Sequence, residues 1–223
     1  MNVQKRKTRA RSPEKKAEQF EIILEEGKRM FIEYGSDGFS TRALAEKLGM
    51  TQPNLYNYVQ SKRELWIAIK SKYFDDYFEG FEPILNDHKG SYLDLFYKFV
   101  EYFLDFVSAD YERFQMIFLL NAPPSKRKGP LEKAYKPFPI LKYVLGLVEK
   151  AAINNEIDRE IATELFYSIY SYVIGATKVR RDELSLNNES SESIAGHYSI
   201  TDREYRELIL KEVRDRIERS RKK

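Results

Sequence analysis

The sequence predicts an all-α protein: an N-terminal helix-turn-helix domain followed by a larger helical domain. Three observations carry this. Apolar residues recur at three- and four-residue spacing along most of the chain. Helix-start and helix-stop residues flank those stripes. Alternating strand patterns are absent. A chain of 223 residues suits one or two domains of about 150 residues, and is long enough to bury about 70% of its unfolded surface.

Each helix has its own signals. Ser12-Pro13-Glu14 supplies an N-cap, a proline at the first helical position and an acid in the first turn. Ala17, Phe20, Ile23, Leu24, Gly27, Met30, Phe31 and Tyr34 follow at helical spacing, and Gly35 fits the stop. A short second helix opens at Ser40 or Thr41, carries Leu44, Ala45 and Leu48, and ends at Gly49. The third runs from about Gln52 to Tyr58. Ser61-Lys62-Arg63-Glu64 reads as a capping box for a fourth, whose stripe Leu65, Ile69, Tyr73, Tyr77 stops at Gly80 and Pro83. Residues 91–107 put Tyr92, Phe96, Phe99, Val100, Phe103 and Val107 on one face, and 111–120 are largely apolar. The segment 121–139 holds five of the eight prolines and reads as a long connection. Ile140, Val144, Leu147, Val148 and Ala151 make the next helix, broken at Asn154-Asn155. Asp158 caps a long one with Ile161, Leu165, Ile169, Val173 and Ala176. Residues 181–200, rich in Ser, Asn and Glu, read as a mobile loop. Thr201-Asp202-Arg203-Glu204 is a second capping box, followed by Tyr205, Leu208, Ile209, Val213 and Ile217.

Composition removes whole classes of chemistry. With no Cys there is no disulfide, thiolate nucleophile or Cys-ligated metal. Two His cannot form a three-His metal site in one subunit. There is no Gly-rich phosphate loop and no calcium-loop spacing, so neither an enzyme nor a cofactor is expected. No run approaches 18 apolar residues, and the basic N-terminus lacks a secretory core; a cytoplasmic protein without a membrane partner is expected. Charge is uneven. Residues 1–66 carry 13 Lys/Arg against 9 Asp/Glu, whereas the remainder is near neutral. Lys5, Arg6, Lys7, Arg9 and Arg11 lead the chain with no acid among them. That asymmetry points to a nucleic-acid or acidic partner at the front end.

Short helices with a break at Leu48-Gly49-Met50-Thr51 have the dimensions of a helix-turn-helix unit. Its reading helix must offer N-terminal side chains to base edges in the major groove. Here those are Gln52, Pro53, Asn54, Tyr56, Asn57 and Tyr58. Asn and Gln pair bidentately with adenine, and Pro or an aromatic edge touches a thymine methyl. Leu55 and Val59 lie four apart and anchor the opposite face. Tyr56, Tyr58 and Lys62 offer donors to phosphates, which fix register rather than sequence. Arg42 is placed to reach a phosphate or a guanine.

The stretch Phe39 to Leu65 resembles the DNA-binding signature of the TetR repressor family. The resemblance rests on Ser40-Thr41, Ala45 with Leu48-Gly49, Leu55-Tyr56 with Tyr58, and Ser61-Lys62 with Leu65, and it spans residues 15–70. It implies a homodimer in which each N-terminal domain reads half of a near-palindromic double-stranded operator. By position, the implied DNA contacts are Thr41, Arg42, Gln52, Pro53, Asn54, Tyr56, Asn57, Tyr58 and Lys62. The domains are then a flexible basic arm at 1–14, a DNA-binding domain at 15–66, and a ligand-binding and dimerisation domain at 67–223. The family's small-molecule pocket would draw on Phe96, Tyr97, Phe99, Phe103, Phe114, Phe118, Phe166 and Tyr170, for a largely apolar effector. The loop carrying Lys126, Arg127 and Lys128 would meet the phosphates of a coenzyme A ester. The last two long helices would pair with their twins through Leu165, Ile169, Val173, Leu208, Ile209 and Val213. The rival reading is a helical adaptor that binds a protein and no DNA.

Overall fold

The computed structural model describes residues 12–126, 128–136, 140–189 and 200–222, with only the backbone of 185–189. The order is α1 (Pro13–Gly38), α2 (Thr41–Lys47), α3 (Gln52–Leu55), α4 (Lys62–Asp87), α5 (Tyr92–Ala109) and α6 (Tyr111–Phe114). A π-helical turn follows at Gln115–Leu119, then α7 (Pro130–Ala134), α8 (Ile140–Ile153), α9 (Arg159–Glu189) and α10 (Asp202–Ser220). Among the described residues the only extended pairing is an isolated bridge between Ile157 and Arg221. The all-α class is as the sequence reads.

The chain forms two compact units, Met1–Asp75 with Glu112–Pro137, and Asp76–Tyr111 with Phe138–Lys223. These units do not follow a single cut at residue 66: the segment after α6 packs with the N-terminal helices.

In the N-terminal unit, Ile23, Leu24, Met30 and Phe31 of α1 are buried with Leu44, Ala45, Leu55, Val59, Leu65 and Ile69. Phe31 and Phe39 stack at 4.0 Å. α1 kinks at Gly35, whose φ is 66°. Gly49 has φ 63°, a left-handed conformation that costs glycine little. It lets Met50 N–H bond Ala45 O at 2.9 Å and Gly49 N–H bond Glu46 O at 3.0 Å, closing α2 with a Schellman cap. Trp66 is buried here, with the Lys70 ammonium 4.8 Å from its ring centre.

The C-terminal unit holds the end of α4 together with α5, α8, α9 and α10. Two boundaries differ from the sequence reading. α4 does not stop at Gly80 and Pro83 but continues to Asp87. Gly80 is a place of close approach, because a Cβ there would strike the Tyr102 hydroxyl. Tyr77 and Phe81 on either side are fully buried, Phe81 with its ring 4.9 Å from Phe99, and that packing outweighs the helix-breaking residues. α9 likewise runs to Glu189 rather than ending at 180. Lys178–Asp182 at 2.5 Å and Arg180–Glu183 at 2.9 Å pair along its surface, so a polar stretch still makes helix. The rest of the expected loop, 190–199, lies outside the described residues. The Thr201 capping box forms in full, as does an unforeseen one at Ser91 and Asp94. Asn155, at φ 62°, ends α8, as the Asn154-Asn155 break predicts.

Candidate nucleic-acid interface

α3 is shorter than the sequence suggests, ending at Leu55. Tighter bonds then carry the chain on, from Asn57 N–H to Asn54 O and from Tyr58 N–H to Leu55 O. Thr51 caps the helix by accepting from Asn54 N–H at 3.4 Å. Leu55 and Val59 are fully buried, as expected. Their opposite face is the candidate reading surface: Pro53, Asn54, Tyr56 and Asn57 are exposed there, and so is Arg42 on α2.

Three side chains on this surface are already bonded to each other. The Gln52 amide nitrogen donates to Thr41 Oγ1 at 3.2 Å and to the Tyr56 hydroxyl at 3.1 Å. Those two oxygens lie 3.3 Å apart. The triangle ties α2 to α3 and engages both amide donors of Gln52, leaving its carbonyl oxygen to accept. Asn54 and Asn57 make no side-chain hydrogen bond among the described residues and keep both amide functions for a base edge. Tyr58 is stacked on Phe20, with ring centres 6.3 Å apart. Lys62 donates to Ser36 O at 2.6 Å and Phe39 O at 3.4 Å, which closes the end of α1 and leaves one ammonium hydrogen. Glu26 accepts from Lys47 at 2.6 Å and Arg29 at 3.2 Å. The hydrogen bond from Lys47 holds the Glu26 carboxyl below its usual range.

Glu64 was not foreseen as a site residue. Ser61 Oγ accepts from Glu64 N–H at 3.0 Å, as a capping box requires. The reciprocal bond is replaced. The buried Glu64 carboxylate accepts from Gln60 N–H at 2.5 Å and, from the distant segment, Leu131 N–H at 2.6 Å and Glu132 N–H at 3.4 Å. Local spacing gave no hint of a partner 67 residues away.

Residues 23–69 match the family model for bacterial regulatory proteins of the tetR family. Over this segment the chain is similar to the tetR family. The tetracycline repressor protein class D of Escherichia coli is 43% identical over 49 residues, 22% of this chain and 22% of the repressor. The chain therefore spans about a fifth of that relative's length. Whole-chain likeness is one of fold. A crystal structure of a candidate tetR family transcription regulator from Shewanella sp. PV-4 shares 14% identity, with TM-score 0.63, over 92% of this chain and 99% of that one. AibR, solved in complex with isovaleryl coenzyme A and operator DNA, shares 16% identity, with TM-score 0.60, over 87% and 97%.

The expected ligand residues are divided between the two units. Phe96, Phe99, Phe103 and Phe166 are buried, and Tyr97 and Tyr170 half-buried, in the C-terminal unit. Phe114 and Phe118 pair with each other at 5.4 Å in the N-terminal unit. Lys126 and Lys128 are exposed in that same unit, and Arg127 lies outside the described residues. A cleft of about 240 Å³ in the C-terminal unit has Leu104, Val107, Leu184 and Ile209 in its walls, with Tyr111 and Arg181. None of the expected aromatics lines it. Tyr77 is a second unforeseen feature. Its hydroxyl is buried without a hydrogen-bond partner among the described residues, between Phe99, Tyr102 and Phe106, and burial drives its ionisation well upward.

Of the expected dimer residues, Leu165, Ile169, Val173, Ile209 and Val213 are buried within the single chain. Leu208 is 51% exposed, and α9 also presents Tyr167 at 54% and Val179 at 60%. No helix among the described residues is long and apolar enough to cross a membrane.

Proposed function

We propose that this chain is a DNA-binding transcriptional regulator that represses until a small molecule releases it from its operator. The observation that carries the reading is the surface around α3. Buried Leu55 and Val59 fix the helix, the Thr41–Gln52–Tyr56 triangle braces it against α2, and Asn54, Asn57, Pro53 and Arg42 are exposed on the outer face. In this reading Asn54 and Asn57 address base edges. Thr41, Arg42, Tyr56, Tyr58 and the remaining hydrogen of Lys62 take phosphates. Gln52 accepts from a base while holding the other two in place.

The working form is a homodimer on a near-palindromic operator, meeting through Tyr167, Val179 and Leu208. The effector is largely apolar, a fatty acyl compound or an aromatic one. AibR, bound to isovaleryl coenzyme A, favours the acyl version. The cleft in which Leu104, Val107, Leu184 and Ile209 face Arg180, Arg181 and Arg206, and the buried Tyr77 hydroxyl, are the two places that suit such a molecule, the arginines taking an acidic head group. Release follows if the effector binds better to a conformation that fits DNA poorly.

The test is selection of duplexes from a random pool by the purified protein. The expected result is two inverted half-sites with centres about one helical turn apart, roughly 34–36 Å. A pool that enriches no sequence refutes the regulator reading. Acyl-CoA esters and simple aromatics are then titrated against the bound complex, and dissociation by one class but not the other assigns the effector.

A further inference from the structure

We infer that residues 121–136 are a basic strap of the DNA-binding unit that holds the phosphates flanking each half-site. The inference rests on the DNA-binding reading above and adds to it a contact surface outside the helix-turn-helix.

The strap belongs to the N-terminal unit and is fastened along its length. Ser36 Oγ donates to Asn121 O at 2.5 Å. Arg63 donates to Pro123 O at 3.2 Å and to the Glu132 carboxylate at 2.7 Å. The Glu64 carboxylate accepts the amides of Leu131 and Glu132 on one oxygen and that of Gln60 on the other. Gln60 directly follows buried Val59, the last anchor of the reading segment. One carboxylate thus joins the end of the reading segment to the strap. Gly129 makes the fit possible, because a Cβ there would collide with the Glu64 carboxyl group.

Charge says what the strap meets. Residues 121–136 contain five Lys or Arg and a single acid, Glu132. That acid is neutralised by Arg63. The described cations Lys126, Lys128, Lys133 and Lys136 are all exposed and make no salt bridge among the described residues. Unpaired lysines on a braced backbone, beside the segment that reads bases, suit a polyanion that continues past the reading site. A duplex is such a polyanion, with one charge per about 1.7 Å of axis. A coenzyme A head group would need convergent donors in a pocket, whereas these four lysines are spread over eleven positions of an open surface.

The experiment uses the full chain and the selected operator, on a short duplex ending at the half-sites and on one extended by ten base pairs each side. Binding is measured against salt for wild type and for the double variant K126Q/K128Q, whose exposed positions leave the fold intact. Each lost phosphate contact lowers the salt slope by about 0.9. Two per protomer, hence four per dimer, make the variant's loss roughly 150-fold greater at 50 mM than at 200 mM salt. This is expected on the long duplex only, with the consensus sequence unchanged. Equal slopes for both proteins on the long duplex overturn the strap. So does a variant that binds DNA normally but needs more acyl-CoA for release. If wild type selects no sequence, the regulator reading fails first; if it selects one and the slopes agree, the strap alone fails.

Discussion

The two compact units keep their interiors together by different means. The N-terminal unit is stitched by buried or half-buried charge: Lys28 between Glu25 and Glu112, Lys62 on two carbonyls, Glu64 on three amides. The C-terminal unit is filled with rings, Tyr77 meeting Phe99, Tyr102 and Phe106 within 5.7 Å, and its buried hydroxyl has no partner among the described residues. Directional bonds specify a single geometry, because a broken one leaves a desolvated charge or amide. Aromatic packing tolerates small rearrangement at lower cost. In the function proposed above, the unit that presents side chains to DNA in fixed register gains from the first, and the unit that admits a ligand gains from the second.

Five variants break or sharpen that contrast. The largest effect is expected from Val213→Glu, which puts an unpaired charge into the interior of the C-terminal unit and costs about 3–5 kcal/mol. Urea denaturation followed by far-UV circular dichroism should show early loss of helix. Leu208→Glu, on exposed surface, should keep wild-type helix but sediment as a monomer; a dimeric Leu208→Glu removes that residue from the interface. Next comes Glu64→Ala. It strands three amides in the charged unit and costs about 3 kcal/mol, read by calorimetry. A loss below 0.5 kcal/mol would mean the carboxylate is not the fastener described above. Asn57→Ala should weaken specific binding by about 1–3 kcal/mol without changing stability, if Asn57 makes a bidentate base contact; quantitative gel shifts on selected and scrambled duplexes decide it. The smallest effect is Ser91→Ala, which removes the α5 N-cap for about 1 kcal/mol. A thermal midpoint equal to wild type would show that Glu156, which accepts from Tyr92 and Leu93 N–H, caps the helix alone.

The same contrast explains what could be read from sequence. Ser12, Gly49, Leu55 and Val59 act through neighbours within a few positions, and their roles were legible. Glu64 was misjudged because its nearest sequence role, the capping box, is only half used, and its other partners lie on a remote segment. Gly80 and Pro83 read as a stop because local propensity ignores that Tyr102 needs the missing side chain. The polar run after 180 read as loop because its ion pairs form only once it is helical. Leu165, Ile169 and Val173 are expected at a dimer seam and are buried within the single chain, because a stripe shows that a helix has an apolar face, not which surface covers it. The ligand residues were the least legible. Phe114 and Phe118 share the aromatic richness of Phe96 and Phe166, but composition carries no information on which unit a ring joins.

Trp66 is the only tryptophan in the chain, and it sits in the N-terminal unit under the Lys70 ammonium. Intrinsic fluorescence excited at its red edge therefore reports from one unit alone, while the dichroic signal of the helices sums over both. Followed together through a melt, the two signals separate if the units unfold independently and coincide if they unfold as one. The molecule carries its own optical label for the cooperativity that the proposed effector-driven switch requires, with no dye and no added residue.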